Sequence, residues 1–218
     1  MGPVDATRAY QFAKEDSGMS NNRYALAGWV AIAQTIIIPT AFVIGILQGV
    51  IGARAFGYTG PSVGPSDLLM ILFTAGEVYT LIMFRKLINE RFSFHDVDTM
   101  ITLAIWWGIL FQSCSLLMKL LIVVSWPVEG LLMVLGYVAF MTVFLVSAGI
   151  INIIIGIRLL KIKESMSDLL LAYTYFILVA GIIQVSVIFS PLVLLMLPIS
   201  SILLAMIFFK SEEQVEFV

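Results

Sequence analysis

From Tyr24 onward the chain alternates long apolar stretches with short polar breaks, and each stretch has the length a helix needs to cross a bilayer. About 20 apolar residues suffice for one crossing. The first stretch runs from Tyr24 to Ile51, the second from Asp67 to Ile88, the third from Asp98 to Val124 and the fourth from Leu131 to Leu160. Residues 169–209 are long enough for two more, with Ser190-Pro191 as the natural break. The pattern predicts an all-α, polytopic integral membrane protein, a compact bundle of six transmembrane helices. Residues 1–22 are expected to form a polar cytoplasmic tail, residues 23–210 the six-span domain, and residues 211–218 a short acidic tail. Pro39 removes a backbone donor inside the first span, so a kink is expected near Thr35.

Charge placement gives the orientation. Arg8, Lys14 and Arg23 precede span one; Arg85, Lys86 and Arg91 follow span two; Arg158, Lys161 and Lys163 follow span four; Lys210 follows span six. The intervening loop 52–66 carries only Arg54, and Ser125–Gly130 carries no basic residue. Lys and Arg accumulate on the cytoplasmic side of short loops. Both termini are therefore expected in the cytoplasm, with the plasma membrane as the location. A five-span arrangement would place Lys210 outside and break no other rule. Tyr24 and Trp29 fall near the inner boundary, Tyr58 and Trp126 near the outer one, where amphipathic rings favour the headgroup level.

Composition narrows the partners. A hydrophobic content of 61% leaves no room for a soluble domain. With 12 Lys+Arg against 14 Asp+Glu, no basic footprint for nucleic acid exists. The expected partners are the lipid bilayer and a membrane protein partner or second copy, because lipid-facing and partner-facing apolar surfaces look alike in sequence. Cys114 lies in an apolar run and is read as a packing residue.

Polar residues within the spans fall on stripes. Span three sets Gly108, Gln112, Ser115 and Lys119 along one face. Span two gathers Thr74, Glu77 and Thr80 with Gly76 beside them; span four spaces Ala148, Asn152 and Gly156 by four; span five aligns Tyr173, Gly181 and Gln184; span one carries Gly45 and Gly49. Small residues let helix backbones approach in lipid, and Asn or Gln can bond across the gap. Gln112, Asn152, Gln184 and the glycines are thus expected at helix seams, with a polar pathway as the alternative. A weak resemblance between the Arg85–Gln112 and Arg158–Gln184 segments raises a duplicated hairpin, against the plain reading that membrane hairpins share basic inner turns.

Glu77 and Lys119 stand apart, because an ionised group in mid-bilayer costs several kcal/mol on insertion scales (about 2.5–3.5). Helical side chains lean toward the helix N-terminus. In antiparallel spans that lean inclines Glu77 and Lys119 toward each other, and two arrangements are equally expected: a Glu77–Lys119 pair, or a snorkelling Lys119 beside a protonated Glu77.

Chemistry is sparse. Glu90, His95, Asp96 and Asp98 form a cytoplasmic patch that could ligate a metal, but Asp98 is also placed to cap span three. No phosphate loop, nucleophile elbow or zinc-protease motif is present. No cofactor and no enzymatic activity are expected. The sequence favours an accessory or assembly component of a membrane complex; the alternative is a small-solute or ion pathway using Glu77, Gln112, Lys119, Asn152 and Gln184.

Overall fold

Six helices account for the apolar stretches. The computed structural model describes residues 3–56, 63–125, 130–186, 189 and 192–213, and their regular structure is entirely helical. Helix α1 spans Pro3–Phe56, α2 Pro65–Phe92, α3 Asp98–Ser125, α4 Gly130–Leu159, α5 Asp168–Val185 and α6 Val193–Glu213. A short 3-10 helix, Leu160–Ser165, follows α4. Each of α1 to α6 contains a segment long and apolar enough to cross a membrane. The polar segment from Pro3 is helical and continuous with the first apolar stretch, and α1 also runs on through Pro39. Ser190-Pro191, Tyr58, Trp126 and everything beyond Glu213 lie outside the described residues.

The main contacts join each helix to its neighbours in sequence, and α6 returns to pack along α1. The six helices therefore close into a ring. Neighbouring helices alternate in direction, so one end of the ring gathers the basic loops. There Tyr24 Oη donates to Glu90 Oε2 at 2.6 Å and the Tyr24 ring stacks on Phe208. Lys161 Nζ meets Asp96 Oδ2 at 2.9 Å, and Arg158 Nη1 donates to the Asp96 carbonyl at 2.5 Å. This is the basic end.

The half of the bundle next to the basic end is filled. Phe84, Ile88, Ile101, Leu159 and Phe208 are buried in one continuous apolar cluster contributed by α2, α3, α4 and α6, with Tyr173 of α5 edge-on to Phe84. Close packing of such a cluster contributes about 0.1–0.2 kcal/mol per atom pair, summed over many contacts.

The tightest seam lies between α4 and α5. A Cβ built on Gly149 would sit 2.7 Å from the Gly181 carbonyl oxygen, and one on Gly181 would sit 2.7 Å from the Gly149 carbonyl oxygen. Only glycine at both positions permits that approach. Gly156 continues the seam against Leu178. The Gly45 and Gly49 pattern behaves differently: Gly45 is in ordinary contact with Ser66, and a Cβ on Gly49 would meet nothing within 4 Å among the described residues. It is not a close helix seam.

Candidate functional site

Above the packed half, a half-open chamber of about 460 Å³ lies between α2, α3, α4, α5 and α6. Helix α2 contributes Met70, Phe73, Thr74 and Glu77, α3 contributes Trp107, Gly108, Phe111 and Gln112, and α4 contributes Tyr137, Phe144, Ala148 and Asn152. Gln184 of α5 and Val193 and Leu197 of α6 complete the wall. Glu77 is the one ionisable carboxylate among these described lining residues. It lies about 18 Å along α2 from Pro65 and about 23 Å from Phe92, at 1.5 Å per residue, well inside the span.

Its carboxylate has no ion-pair or hydrogen-bond partner among the described residues. Only its backbone is engaged, as the carbonyl accepts from Thr80 Oγ1 at 2.9 Å. Thr74 likewise turns its hydroxyl to its own helix, donating to the Met70 carbonyl. A buried charge without a partner is costly. A proton on Glu77, or a cation bound beside it, removes that cost.

Of the two expected arrangements, the Glu77–Lys119 pair does not form. Lys119 Nζ instead lies 2.6 Å from Asp67 Oδ1, and the two side chains are 19% and 6% exposed. Asp67 sits in the first turn of α2, where Gly64 N–H donates to its Oδ2 at 2.9 Å. The long Lys119 stem reaches away from the chamber to this carboxylate, and its reach outweighs the lean toward the helix N-terminus. Lys119 therefore pins the ends of α2 and α3 opposite the basic end and is absent from the chamber wall.

The amides divide as well. Asn152 Nδ2 donates to Gln184 Oε1 at 2.9 Å, bridging α4 and α5 beside the glycine seam. Gln112 lines the chamber without a described side-chain partner. Along the same α3 stripe, Gly108 has nothing within 4 Å of a built Cβ, so it widens the chamber rather than seating a helix. Ser115 Oγ lies 3.2 Å from Tyr137 Oη. One stripe thus serves a cavity, a helix contact and an ion pair in turn.

The aromatic wall was not singled out from sequence. Trp107 stacks on Phe144 with centroids 4.6 Å apart, and Phe111 packs on Phe144 at 5.2 Å. Trp107 Nε1 also reaches the Phe144 carbonyl at 3.5 Å. The recurrence of Trp107 and Phe111 four apart on α3, facing aromatic residues on α4, was the available signal.

The patch at the basic end resolves into separate structural contacts. Asp98 binds Arg85 Nε at 3.0 Å, Asn89 Nδ2 at 3.0 and 3.1 Å, and His95 Nδ1 at 3.1 Å. Asp96 serves Lys161, and Glu90 serves Tyr24 and Lys86. No group of three metal-ligating side chains occurs among the described residues.

The Asn152–Gln184 bridge supplies one prediction. Asn152→Leu should lower stability in detergent more than Ile154→Leu, by up to about 1.7 kcal/mol, the upper range for intramembrane polar contacts. A double cycle with Gln184→Leu should recover most of the loss. Equal unfolding temperatures for Asn152→Leu and Ile154→Leu would remove the bridge from the energetics.

No family model, curated protein or solved structure matches the chain.

Proposed function

We propose that this chain is a six-span plasma-membrane protein, with its basic end in the cytoplasm, whose chamber binds a small organic cation at Glu77 as part of a pathway across the bilayer. The carrying observation is the unpartnered Glu77 carboxylate on the wall of the 460 Å³ chamber. The basic loops support the orientation. The exposed apolar surface, including Trp106 at 66% and Leu117 at 57%, suits contact with lipid.

Wall chemistry selects the solute. Hard inorganic cations favour several oxygen ligands around one point. Here one carboxylate and one uncommitted amide, Gln112, face a wall dominated by Trp107, Phe111 and Phe144. Rings and a single carboxylate together suit an ammonium bearing apolar substituents, through charge pairing and cation–π attraction. The packed half closes the chamber toward the basic end, so passage requires that half to separate. An accessory role in a membrane complex stays the second reading; the glycine-seamed bundle favours it, but such a role leaves the chamber unused.

The test uses purified chain and tetraethylammonium. Binding to the wild type should weaken at least tenfold in Glu77→Gln, while the unfolding temperature of that variant stays within a few degrees. Uptake into reconstituted vesicles should fall in parallel. Unchanged tetraethylammonium binding in Glu77→Gln would sink the site, and binding without uptake would leave a receptor in place of a pathway.

A further inference from the structure

The chamber wall continues toward the basic end along two helix faces. Phe84 follows Glu77 by seven residues on α2, and Tyr173 precedes Gln184 by eleven on α5, so each pair shares one face of its helix. Phe84 lies about 10 Å, and Tyr173 about 17 Å, nearer the basic end than the chamber residue on its own line, at 1.5 Å per residue. The two rings meet edge to face with centroids 5.4 Å apart, and the residues are 2% and 6% exposed. They stand across the line from Glu77 to the basic end.

Tyr173 engages a third helix as well. Its hydroxyl faces that of Ser200 on α6 and lies within electrostatic range of the Glu77 carboxylate. Hydroxyls nearby are committed to their own helices: Thr80 donates to the Glu77 carbonyl, Thr174 to the Leu170 carbonyl and Ser201 to the Leu197 carbonyl. Among the described residues, α5 packs far more sparsely on α6 than on α4, where the glycine seam binds it. One side chain therefore spans the lightly packed junction. If it swings aside, its ring face and phenol oxygen are what an ammonium leaving Glu77 meets.

We propose that Tyr173 is the gate between the chamber and the basic end, closing the path beyond Glu77 by holding α5 against α2 and α6. The proposal rests on the pathway reading of the chamber.

Entry from the basic end tests it, in inverted membrane vesicles of the full chain carrying Cys114→Ser and Gly108→Cys. Gly108 lines the chamber, and a Cβ there meets nothing within 4 Å among the described residues. The probe is trimethylammonioethyl methanethiosulfonate, a permanent cation that modifies the introduced thiol. Tyr173→Ala should raise the modification rate at least tenfold. Tyr173→Phe and Ser200→Ala keep the packing and lose the hydroxyl contact, so each should raise it about threefold, the scale of one hydrogen bond. Combining those two should add nothing further. Leu159→Ala, which thins the same apolar cluster from α4, should leave the rate within twofold. In right-side-out vesicles, where the probe enters from the other end, none of these changes should alter the rate. The gate is overturned by unchanged rates in the Tyr173 and Ser200 variants, by an equal rise in Leu159→Ala, or by a rise from both sides. Where Tyr173→Ala does not reach the membrane, Tyr173→Phe and Ser200→Ala decide. Tetraethylammonium enters none of these measurements, so its failure to bind would defeat the Glu77 site alone.

Discussion

Lys119→Met is expected to lower stability by about 3–5 kcal/mol, the range for breaking one side of a buried ion pair. The loss arises less from the missing attraction than from what remains. Asp67, 6% exposed, would keep its charge in the bundle with only the Gly64 N–H to serve it among the described residues. Asp67→Asn should cost a comparable amount by stranding the Lys119 ammonium, although its 19% exposure allows partial escape to water. Combining Asp67→Asn with Lys119→Met should restore most of the stability, because both charges leave together. By contrast, Glu77→Gln and Lys119→Met should be additive within about 0.5 kcal/mol, as expected for sites without shared partners. Reversible unfolding in mixed micelles measures all of these. Additive losses for Asp67 and Lys119 would remove the pair, and strong coupling of Lys119 to Glu77 would reinstate the pairing that the geometry overturns.

Gly181→Ala and Gly149→Ala should each destabilise by about 1–3 kcal/mol, the usual cost of overpacking. The obstacle is a backbone carbonyl 2.7 Å away, which cannot swing aside as a flexible side chain can. The helices must separate, and the 2.9 Å Asn152–Gln184 bridge then stretches with them. Gly49→Ala and Gly108→Ala are the matched controls, since an added Cβ at either would meet nothing within 4 Å among the described residues. Both should be neutral or slightly stabilising through better helix propensity, worth about 0.8–1.0 kcal/mol in a helix interior. If Gly108→Ala costs as much as Gly181→Ala, the distinction between seam glycine and chamber glycine is wrong.

The helices themselves were legible because length and hydropathy define them with no reference to tertiary contacts. The six stretches and the break between the last two follow directly from residue order. Facing relations were less legible. Gly45, Gly108 and Gly181 look equivalent in sequence, yet one makes ordinary contact, one borders a cavity and one touches a neighbouring backbone. That difference depends on helix rotation, which no local pattern in lipid fixes, since outward and inward surfaces are both apolar. The misplaced Lys119 was more avoidable. With the α2–α3 turn centred near His95, Glu77 lies level with about Gln112 and Ser113, whereas Lys119 lies level with about Ile71, close to Asp67. Hairpin register outweighs side-chain lean here and points to the right carboxylate. Glu77 was recognised as unusual from its depth alone; that it faces open space required the assembled ring.

Ring closure also sets an order of assembly. A chain emerges N-terminal end first, so α1 is present long before the helix that covers it. Until α6 arrives, Gly28 lacks the cover that Phe209 will finally give it. The distance in sequence between α1 and α6 is itself a small obstacle, because closure entropy grows by only about 0.6 kcal/mol per doubling of the loop. Timing is the larger one. A nascent chain halted after α5 would hold five helices in a row and a gap in place of the Val193 and Leu197 wall. The chamber beside Glu77 thus gains its last wall only with the last helix.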